Sequence, residues 1–380
     1  MKRSNARIPG LDGLRGVAIL MVLLWHYISL QSANLGTSFW IFLHELLSLM
    51  WSGVDLFFVL SGFLITGILL ENRKSKNYWS VFYLRRGCRI LPLYFLLLSA
   101  YGVARLLQLD RVPAYGWLFG NPMPLVSYAT FTQNLFMGWR HAFGANWLGV
   151  TWSLALEEQF YLFLPILIYR VPRSRLPVIF VVGSILPAFL RFCFPGYAVL
   201  MSTPFKVDPL FMGALVALIY HTPVAMQFAK DHVRGIWLLF SLLILGALAM
   251  TFHLGPLSTN FVLFGRFSSV SFGEIGLLYA VLLLLLLLKP DTMAFRFLRQ
   301  RWLVWLGGIS FFTYLFHQLI SGIFHVGIKE SRPTIDSVGA ALATLAALIC
   351  TLILAEYSRR YFEKPLLNWG RSFAYAPSDK

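Results

Sequence analysis

Residues 11–27 read LDGLRGVAILMVLLWHY, an apolar stretch that keeps an aspartate, an arginine and a histidine. With the residues that follow, it reaches the roughly 20 residues that a helix needs to cross a ~30 Å hydrocarbon core. Charged groups cost free energy inside a bilayer and are usually retained for a function. The stretch therefore predicts a membrane-spanning helix in which Asp12, Arg15 and His26 are candidate functional residues.

The composition extends this prediction to the whole chain. Hydrophobic residues make up 58% and charged residues 13% of the 380 residues, whereas a soluble domain is closer to half apolar and a quarter charged. We expect an all-α integral membrane protein with one transmembrane domain, residues 1–372, and a short C-terminal tail, residues 373–380. Residues 109–151 are predicted to hold short re-entrant or surface-lying segments. About ten transmembrane helices are expected, at residues 13–33, 50–70, 90–108, 152–169, 176–194, 208–221, 235–252, 271–288, 304–325 and 337–357.

The basic residues predict the orientation of these spans. The net charge is +16, and about three-quarters of the Lys and Arg residues lie on one side of the predicted spans, which marks that side as cytoplasmic. Both termini are therefore predicted to be cytoplasmic, in a multi-pass protein of the cell inner (plasma) membrane. The chain has no long basic arm, which argues against a nucleic-acid partner. The three cysteines are scattered, so no metal site is predicted.

Arg15 and His26 are predicted to face one interior cleft. They are eleven positions apart, which is almost three full helical turns and about 16 Å along the axis. Arg15 would then lie near the cytoplasmic edge, with the imidazole of His26 near the middle of the membrane. The alternative is that His26 only packs against a neighbouring helix.

Three carboxylates are candidates for work beside His26. Asp55 enters the second predicted span early, at the depth expected for His26, where it would orient the imidazole; the alternative is an interfacial carboxylate facing water. Glu157 and Glu158 lie in the outer half of the fourth span. Adjacent helical positions point about 100° apart, so at most one of the two is expected to face the cleft.

Two further arginines and a second histidine complete the candidate site. Arg86 and Arg89 share a helix face at the cytoplasmic surface, and paired guanidinium groups suit a phosphate-bearing ligand. Ordinary positive-inside flanking is the alternative for both. His317, in the ninth span, reaches roughly the depth of His26, with helix packing as its alternative. No nucleophile elbow, P-loop or HExxH motif is present.

These stretches together resemble the acyltransferase family 3 of multi-spanning membrane acyltransferases. Arg15 to His26 fits the family's R-x10-H pattern, and Arg86 to Arg89 fits its RxxR pattern. One departure is HQL at the end of the ninth span, where many members have an aromatic residue and a proline after the histidine. The matching pieces occur in the family's order and cover the chain nearly end to end: LDGLRGVAILMVLLWHY, WSGVDLFFVLSGFLITG, YLRRGCRILPLY, TWSLALEEQFYLFLP, LGGISFFTYLFHQ and YFEKP.

The resemblance implies an O-acyltransferase that moves an acyl group, most often acetyl from acetyl-CoA, to a hydroxyl of an extracytoplasmic glycan. Such a glycan would be an O-antigen, an exopolysaccharide or a lipid-linked saccharide. His26 would be the general base or a transient acyl carrier. The other expected roles are catalytic assistance from Asp55, Glu157 and Glu158, binding of the CoA phosphates by Arg15, Arg86 and Arg89, and acceptor binding by Asp12, Trp152, Ser153 and His317.

Other functions stay open from the sequence. The same chemistry on a small molecule or a lipid headgroup would need the same residues. A proton-coupled transporter would also bury titratable groups, but transporters commonly contain internal repeats, and none is visible here. A non-enzymatic scaffold would have no need for so many buried titratable groups.

Overall fold

The computed structural model describes residues 10–32, 36, 38–194, 196, 200–253, 267–329 and 332–377. All regular secondary structure in these ranges is helical, which confirms the predicted all-α class. The longer helices are α1 (Leu11–Leu24), α2 (Ser38–Leu46), α3 (Gly53–Asn72), α4 (Tyr78–Leu106), α5 (Thr151–Arg170), α6 (Leu176–Cys193), α7 (Asp208–Tyr220), α8 (Pro223–Asp231), α9 (Val233–His253), α10 (Phe267–Leu288), α11 (Arg301–Lys329), α12 (Val338–Ser358) and α13 (Lys364–Ser372).

Several helical segments can span a membrane by length and composition, as predicted. Among the described residues, 7 segments do so, and the pair α7 and α8, bent by 97°, would make 8. Helix α5 is long enough but carries three consecutive polar residues, Glu157 to Gln159. Helix α9, Val233–His253, is 21 residues long and apolar, and its continuously described part is Val233–Ala249. The qualifying segments are Leu11–Ser32, Ser38–Asn72, Tyr78–Leu106, Leu176–Cys193, Ser271–Leu288, Arg301–Gly327 and Val338–Ser372.

The helix that carries His26 changes its winding at that residue. Helix α1 continues as a π-helical turn, Trp25–Ser29, before one last α-helical turn, Leu30–Ser32. A π turn inserts an extra residue, which breaks the simple periodicity of the α-helix, and such turns occur often at functional sites. His26 therefore lies at a local irregularity that the regular apolar pattern of the sequence does not predict.

Glycines let the central helices approach at backbone contact. A Cβ atom at Gly16 would overlap the carbonyl oxygen of Leu303 on α11, and one at Gly307 would overlap that of Asp12 on α1. Gly62 on α3 meets the Leu210 carbonyl of α7 in the same way. Small residues allow such close packing in membrane bundles, where it replaces the hydrophobic effect as the source of association. The α1–α11 contact brings the helices of Arg15 and His317 together.

The region 109–151 forms short helices instead of a span, in agreement with the prediction. Leu125–Ala129 and Gln133–Arg140 are the two helical pieces of the segment PLVSYATFTQNLF and its continuation. Buried Gln133 donates to the Thr151 carbonyl over 2.9 Å and to the Tyr94 hydroxyl over 3.1 Å. The segment thereby anchors the first residue of α5, the helix that carries the two adjacent glutamates.

Candidate active site

A cavity between α1, α3, α4, α5 and α11 contains five of the eleven predicted site residues in its lining. It contains about 780 Å³ of empty space, part of it open to solvent. Apolar side chains from α3, α4, α5 and α11 form much of the wall. Its polar lining consists of Arg15, Ser61, Arg86, Arg89, Ser153, Glu157, Tyr161, Ser310 and Tyr314.

The three predicted donor-binding arginines line this one cavity. Arg15 approaches Asp12 at 3.7 Å, a loose ion pair one helical turn away. The guanidinium of Arg86 lies 5.6 Å from the centre of the Tyr161 ring, within the range of a cation–π contact. Within the described ranges, no carboxylate comes within ion-pair distance of Arg86 or Arg89. The cavity therefore has an excess of positive charge.

The adjacent glutamates of α5 have different surroundings. Glu157 lines the cavity, and its Oε1 accepts a hydrogen bond from the Tyr161 hydroxyl at 2.7 Å. Glu158 is not among the lining residues, and its buried Oε1 has no hydrogen-bond partner in the described part of the chain. As expected for neighbouring helical positions, the two carboxylates do not share one cavity wall, and Glu157 is the one that lines the cavity.

Ser153 and Tyr314 join α5 to α11 at the cavity wall. The Tyr314 hydroxyl donates to the carbonyl of Val150 over 3.0 Å. Ser153 Oγ lies 2.5 Å from the same hydroxyl and 3.2 Å from the Val150 carbonyl, so the two hydroxyl groups and this carbonyl form one hydrogen-bonded cluster. Trp152, the neighbouring acceptor-binding candidate, instead packs edge to face on Phe58, with ring centres 6.0 Å apart.

His26 and His317 form a close pair in the bundle. Their ring centres are 4.8 Å apart in an edge-on arrangement. Nδ1 of His26 lies 3.0 Å from the Val22 carbonyl, and Nδ1 of His317 lies 2.9 Å from the Tyr314 carbonyl. A carbonyl only accepts, so each Nδ1 carries the hydrogen and each Nε2 keeps its lone pair. Nε2 of His317 is buried without a hydrogen-bond partner among the described residues.

Tyr314 connects the histidine pair to the arginine cavity. Its side chain lines the cavity, and its ring centre is 6.3 Å from that of His317. On the far side, the buried Tyr27 hydroxyl donates to the His317 carbonyl over 3.0 Å. His26 itself is half-buried beside the cavity and is not one of its lining residues. The structure thus brings both predicted histidines together, with His317 next to the cavity-lining Tyr314 and His26 behind it.

Asp55 has a different partner from the one that the sequence suggests. The fully buried carboxylate forms an ion pair with Lys206, whose Nζ lies 2.8 Å from Oδ1, and not with His26. The neighbouring pair Arg191–Asp208 is also fully buried, with two bonds of 3.0 and 2.9 Å. A buried carboxylate needs a full opposite charge to offset its desolvation, and Lys206 provides it. The lysine lies on a four-residue helix, Thr203–Lys206, that the apolar pattern does not reveal.

Sequence reasoning overlooked Tyr161 and Tyr314. A usable signal was present for both, because Tyr161 follows Glu157 by one helical turn and Tyr314 precedes His317 by one turn. Residues at these spacings share a helix face with the predicted site residue. No group of three or more His, Cys, Asp or Glu side chains within the described ranges is placed to hold a metal ion.

Comparison with known proteins identifies a family for this chain. A family described as "Acyltransferase domain", Acyl_transf_3, matches residues 8–356. Among curated proteins, the O-acetyltransferase OatA of Staphylococcus aureus (strain NCTC 8325 / PS 47) is 26% identical over 394 residues, 98% of this chain and 59% of its own length. A protein of S. aureus (strain COL) named provisionally as O-acetyltransferase SACOL0978 is 26% identical over 405 residues, 96% of this chain and 59% of its own.

The chain therefore spans 59% of the length of these relatives. No solved structure matches it significantly. The family match covers every candidate site residue from Asp12 to His317, and the R-x10-H and RxxR motifs both contribute residues to the cavity and the histidine pair described above. The chain belongs to the acyltransferase family 3.

Proposed function

We propose that this protein is an O-acyltransferase of the cell inner (plasma) membrane that moves acetyl from cytoplasmic acetyl-CoA to a hydroxyl of an extracytoplasmic glycan. The observation that carries the proposal is the convergence of three arginines on one cavity beside the histidine pair. The names of the relatives, O-acetyltransferases, support acetyl as the acyl group and a hydroxyl as its acceptor. A polysaccharide or a lipid-linked saccharide is the proposed acceptor class.

The donor binds through its phosphates. Arg86 and Arg89 carry no ion-paired carboxylate in the described structure, so binding an anion breaks no existing salt bridge at either. Their planar groups match phosphate oxygens in fork geometry. Arg15 adds a third positive charge from the facing helix. The position of Arg15, about 16 Å along α1 from His26, leaves room for an elongated donor whose thioester points towards the histidines.

His26 supplies the base for acyl transfer. Its Nε2 lone pair accepts the proton of the acceptor hydroxyl while the hydroxyl oxygen attacks the thioester carbonyl carbon. The carbon–sulfur bond then breaks, and the proton passes from the imidazolium to the leaving thiolate of CoA. The Nδ1–H bond to Val22 keeps the required tautomer. An acyl-histidine relay would use the same Nε2 atom as the nucleophile.

His317 and its neighbours hold the reactive histidine in place. The edge-on ring contact limits how the His26 ring can turn, and the two backbone bonds to Nδ1 fix the ring of His317. Ser153 and Tyr314 present hydroxyl groups at the cavity end nearest to this pair, where an acceptor hydroxyl would be bound. Asp12 and Trp152 remain proposed acceptor-binding residues on the same helices as Arg15 and Ser153.

The three candidate carboxylates are proposed to support the reaction without contacting the reacting atoms. Glu157 lines the cavity and is proposed to keep Tyr161, and through it Arg86, in position. Glu158 is proposed to stabilise the imidazolium that forms during transfer. For Asp55 a catalytic role is proposed only through the helix that it shares with Ser61, because Lys206 already compensates its charge.

Transfer from labelled acetyl-CoA to a panel of polysaccharides tests this function in detergent. We expect the wild-type protein to label one of them. Arg86→Gln should raise the KM for acetyl-CoA about tenfold or more, since charge-assisted bonds to phosphate are lost. Arg105→Gln is the matched control on the same helix, because Arg105 pairs with Asp110 outside the cavity.

The two arginine variants separate donor binding from general damage to α4. An unchanged KM in Arg86→Gln would contradict the phosphate-binding role. Equal losses in Arg86→Gln and Arg105→Gln would indicate destabilisation of the helix and not a specific site. Labelling of a small hydroxylated compound or a lipid headgroup, with no labelled polysaccharide, would keep the chemistry and replace the acceptor.

A further inference from the structure

Arg85, which directly precedes the RxxR pair, contacts a different part of the protein from Arg86 and Arg89. Arg85 points away from the cavity and binds the segment Arg371–Ala376, which we call the tail strap. Its Nε donates to the Phe373 carbonyl over 3.0 Å, and its Nη2 donates to the same carbonyl over 2.6 Å and to the Arg371 carbonyl over 3.3 Å. A guanidinium with a fixed fork of donors is well suited to holding backbone carbonyls in this way.

Asn77 holds the strap at its other end. Its side-chain amide donates to the Ala374 carbonyl over 2.8 Å, and its Oδ1 accepts from the backbone N–H of Ala376 over 2.7 Å. The Asn77 side chain thus makes the two hydrogen bonds, one donated and one accepted, that the backbone of a neighbouring β-strand would make. The strap is therefore tied from both ends to α4 and to the residue that precedes it.

The preceding helix packs on the same surface. A Cβ atom at Gly370 of α13 would lie 3.1 Å from Cβ of Cys88, so the two helices meet more closely than a larger residue would allow. Cys88 lies between Arg86 and Arg89 in the sequence. The end of α13 and the strap thus lie against the turn of α4 that carries the two cavity arginines.

Tyr375 projects from the strap towards this turn. The Arg85 guanidinium lies 5.3 Å from the centre of its ring. Its hydroxyl is buried without a hydrogen-bond partner among the described residues. Burial raises the pKa of the Tyr375 phenol, and the positive charges of Arg85 and Arg86 act in the opposite direction. The strap thus places this phenol beside Arg85, with its hydroxyl not bonded to another described residue.

We propose that the tail strap is a fixed wall of the donor site, with Arg85 as the positioning residue that holds it and Tyr375 as a further contact for the nucleotide end of the acyl-CoA. The inference rests on the proposed function, since it takes acyl-CoA as the donor. It goes further by assigning a binding contribution to a segment beyond the RxxR motif and by separating Arg85 from Arg86 and Arg89.

Binding of CoA by the purified full-length protein, measured calorimetrically, tests the proposal together with hydrogen exchange of residues 371–376. We expect Arg85→Gln to speed exchange in the strap, to weaken CoA binding about tenfold, and to leave kcat at saturating acetyl-CoA within about threefold of wild type. Tyr375→Phe, which removes only the hydroxyl, should weaken CoA binding without changing exchange. Arg73→Gln is the matched control, because Arg73 also binds backbone carbonyls, those of Tyr169 and Val171, but not the strap.

Four results would overturn all or part of the proposal. Faster exchange in Arg85→Gln with unchanged CoA affinity would overturn the proposal, since the strap would then be structural only. Unchanged exchange would overturn the role of Arg85. If Arg73→Gln weakens CoA binding as much as Arg85→Gln, the effect is not specific and the proposal fails. A wild-type protein that binds no CoA would overturn the donor assignment of the proposed function, and the strap inference with it.

Discussion

At the scale of single residues, His26 and His317 share one arrangement. Both rings use Nδ1 to donate to a carbonyl within their own helix, so the lone pair of each Nε2 can accept a proton. Only one ring needs to take the acceptor proton. His26 is half-buried, whereas His317 is fully buried, so an acceptor reaches the former more easily. In the proposed mechanism, His317 is then the residue that holds the base in position.

The variant His317→Ala should lower kcat about 10²-fold, because a misplaced base loses most of its advantage, while the KM for acetyl-CoA stays within about twofold. The double variant with His26→Ala should lose little more than His26→Ala alone, since residues that act as a unit are not additive. Steady-state kinetics of the three variants check this. Multiplied losses in the double variant would show that the two histidines work independently.

Residue patterns predicted the components of the site better than its contacts. The i, i+3 spacing of Arg86 and Arg89 predicted a shared face, and both residues line the cavity. The eleven-residue spacing of Arg15 and His26 predicted that both face one cleft, but His26 lies in a π turn and does not line the cavity of Arg15. The ion pair between Asp55 and Lys206 could not be predicted from the sequence, because Lys206 is far from Asp55 along the chain and lies on a very short helix. The π turn at His26 also has no signature in a periodic apolar pattern.

At the scale of helices, backbone contact at glycine sets the distance between α1 and α11. Gly16→Ala should separate these helices, because the added methyl group overlaps the Leu303 carbonyl. We expect a destabilisation of about 1–3 kcal/mol, typical of overpacking, and a larger loss of transfer than of stability, since Arg15 and His26 move away from their partners. Thermal unfolding in detergent and initial rates measure the two effects.

Gly102→Ala on α4 is the control for this change. No atom lies within 4 Å of a Cβ placed there, so its stability and its rate should match those of wild type or rise slightly. If Gly16→Ala is as stable and as active as Gly102→Ala, the close α1–α11 contact does not position the site.

The buried ion pairs tie α3, α6 and α7 together. Asp55→Asn leaves the Lys206 ammonium buried without its counter-charge and should cost about 3–5 kcal/mol, whereas replacing both residues by apolar ones, Asp55→Leu with Lys206→Met, should be close to neutral. Thermal stability of the single and double variants measures this. A folded double variant that retains transfer would assign Asp55 a structural role, and a folded but inactive one would support its catalytic role. A fully stable Asp55→Asn would contradict the ion-pair account.

At the scale of the whole molecule, the unpaired and the paired buried charges lie in different places. The arginine cavity has an excess of positive charge. The ion pairs Asp55–Lys206 and Arg191–Asp208 each contain one positive and one negative group and carry no net charge. The positive-inside pattern predicts that the arginine cavity opens towards the cytoplasm, where acyl-CoA is present. Composition and hydropathy were sufficient to predict the all-α multi-span class, because membrane helices need only length and apolarity.

Transfer across sealed vesicles tests the central claim most directly. Vesicles with the cytoplasmic face outward receive labelled acetyl-CoA outside and hold the acceptor glycan inside, with wild type, His26→Ala or the control His325→Gln in the membrane. His325 is a buried histidine that hydrogen-bonds Thr344 at 3.0 Å, away from the cavity lining. We predict labelled glycan inside for wild type and His325→Gln, and at least about a 10²-fold lower rate for His26→Ala. Equal labelling by wild type and His26→Ala would contradict the account.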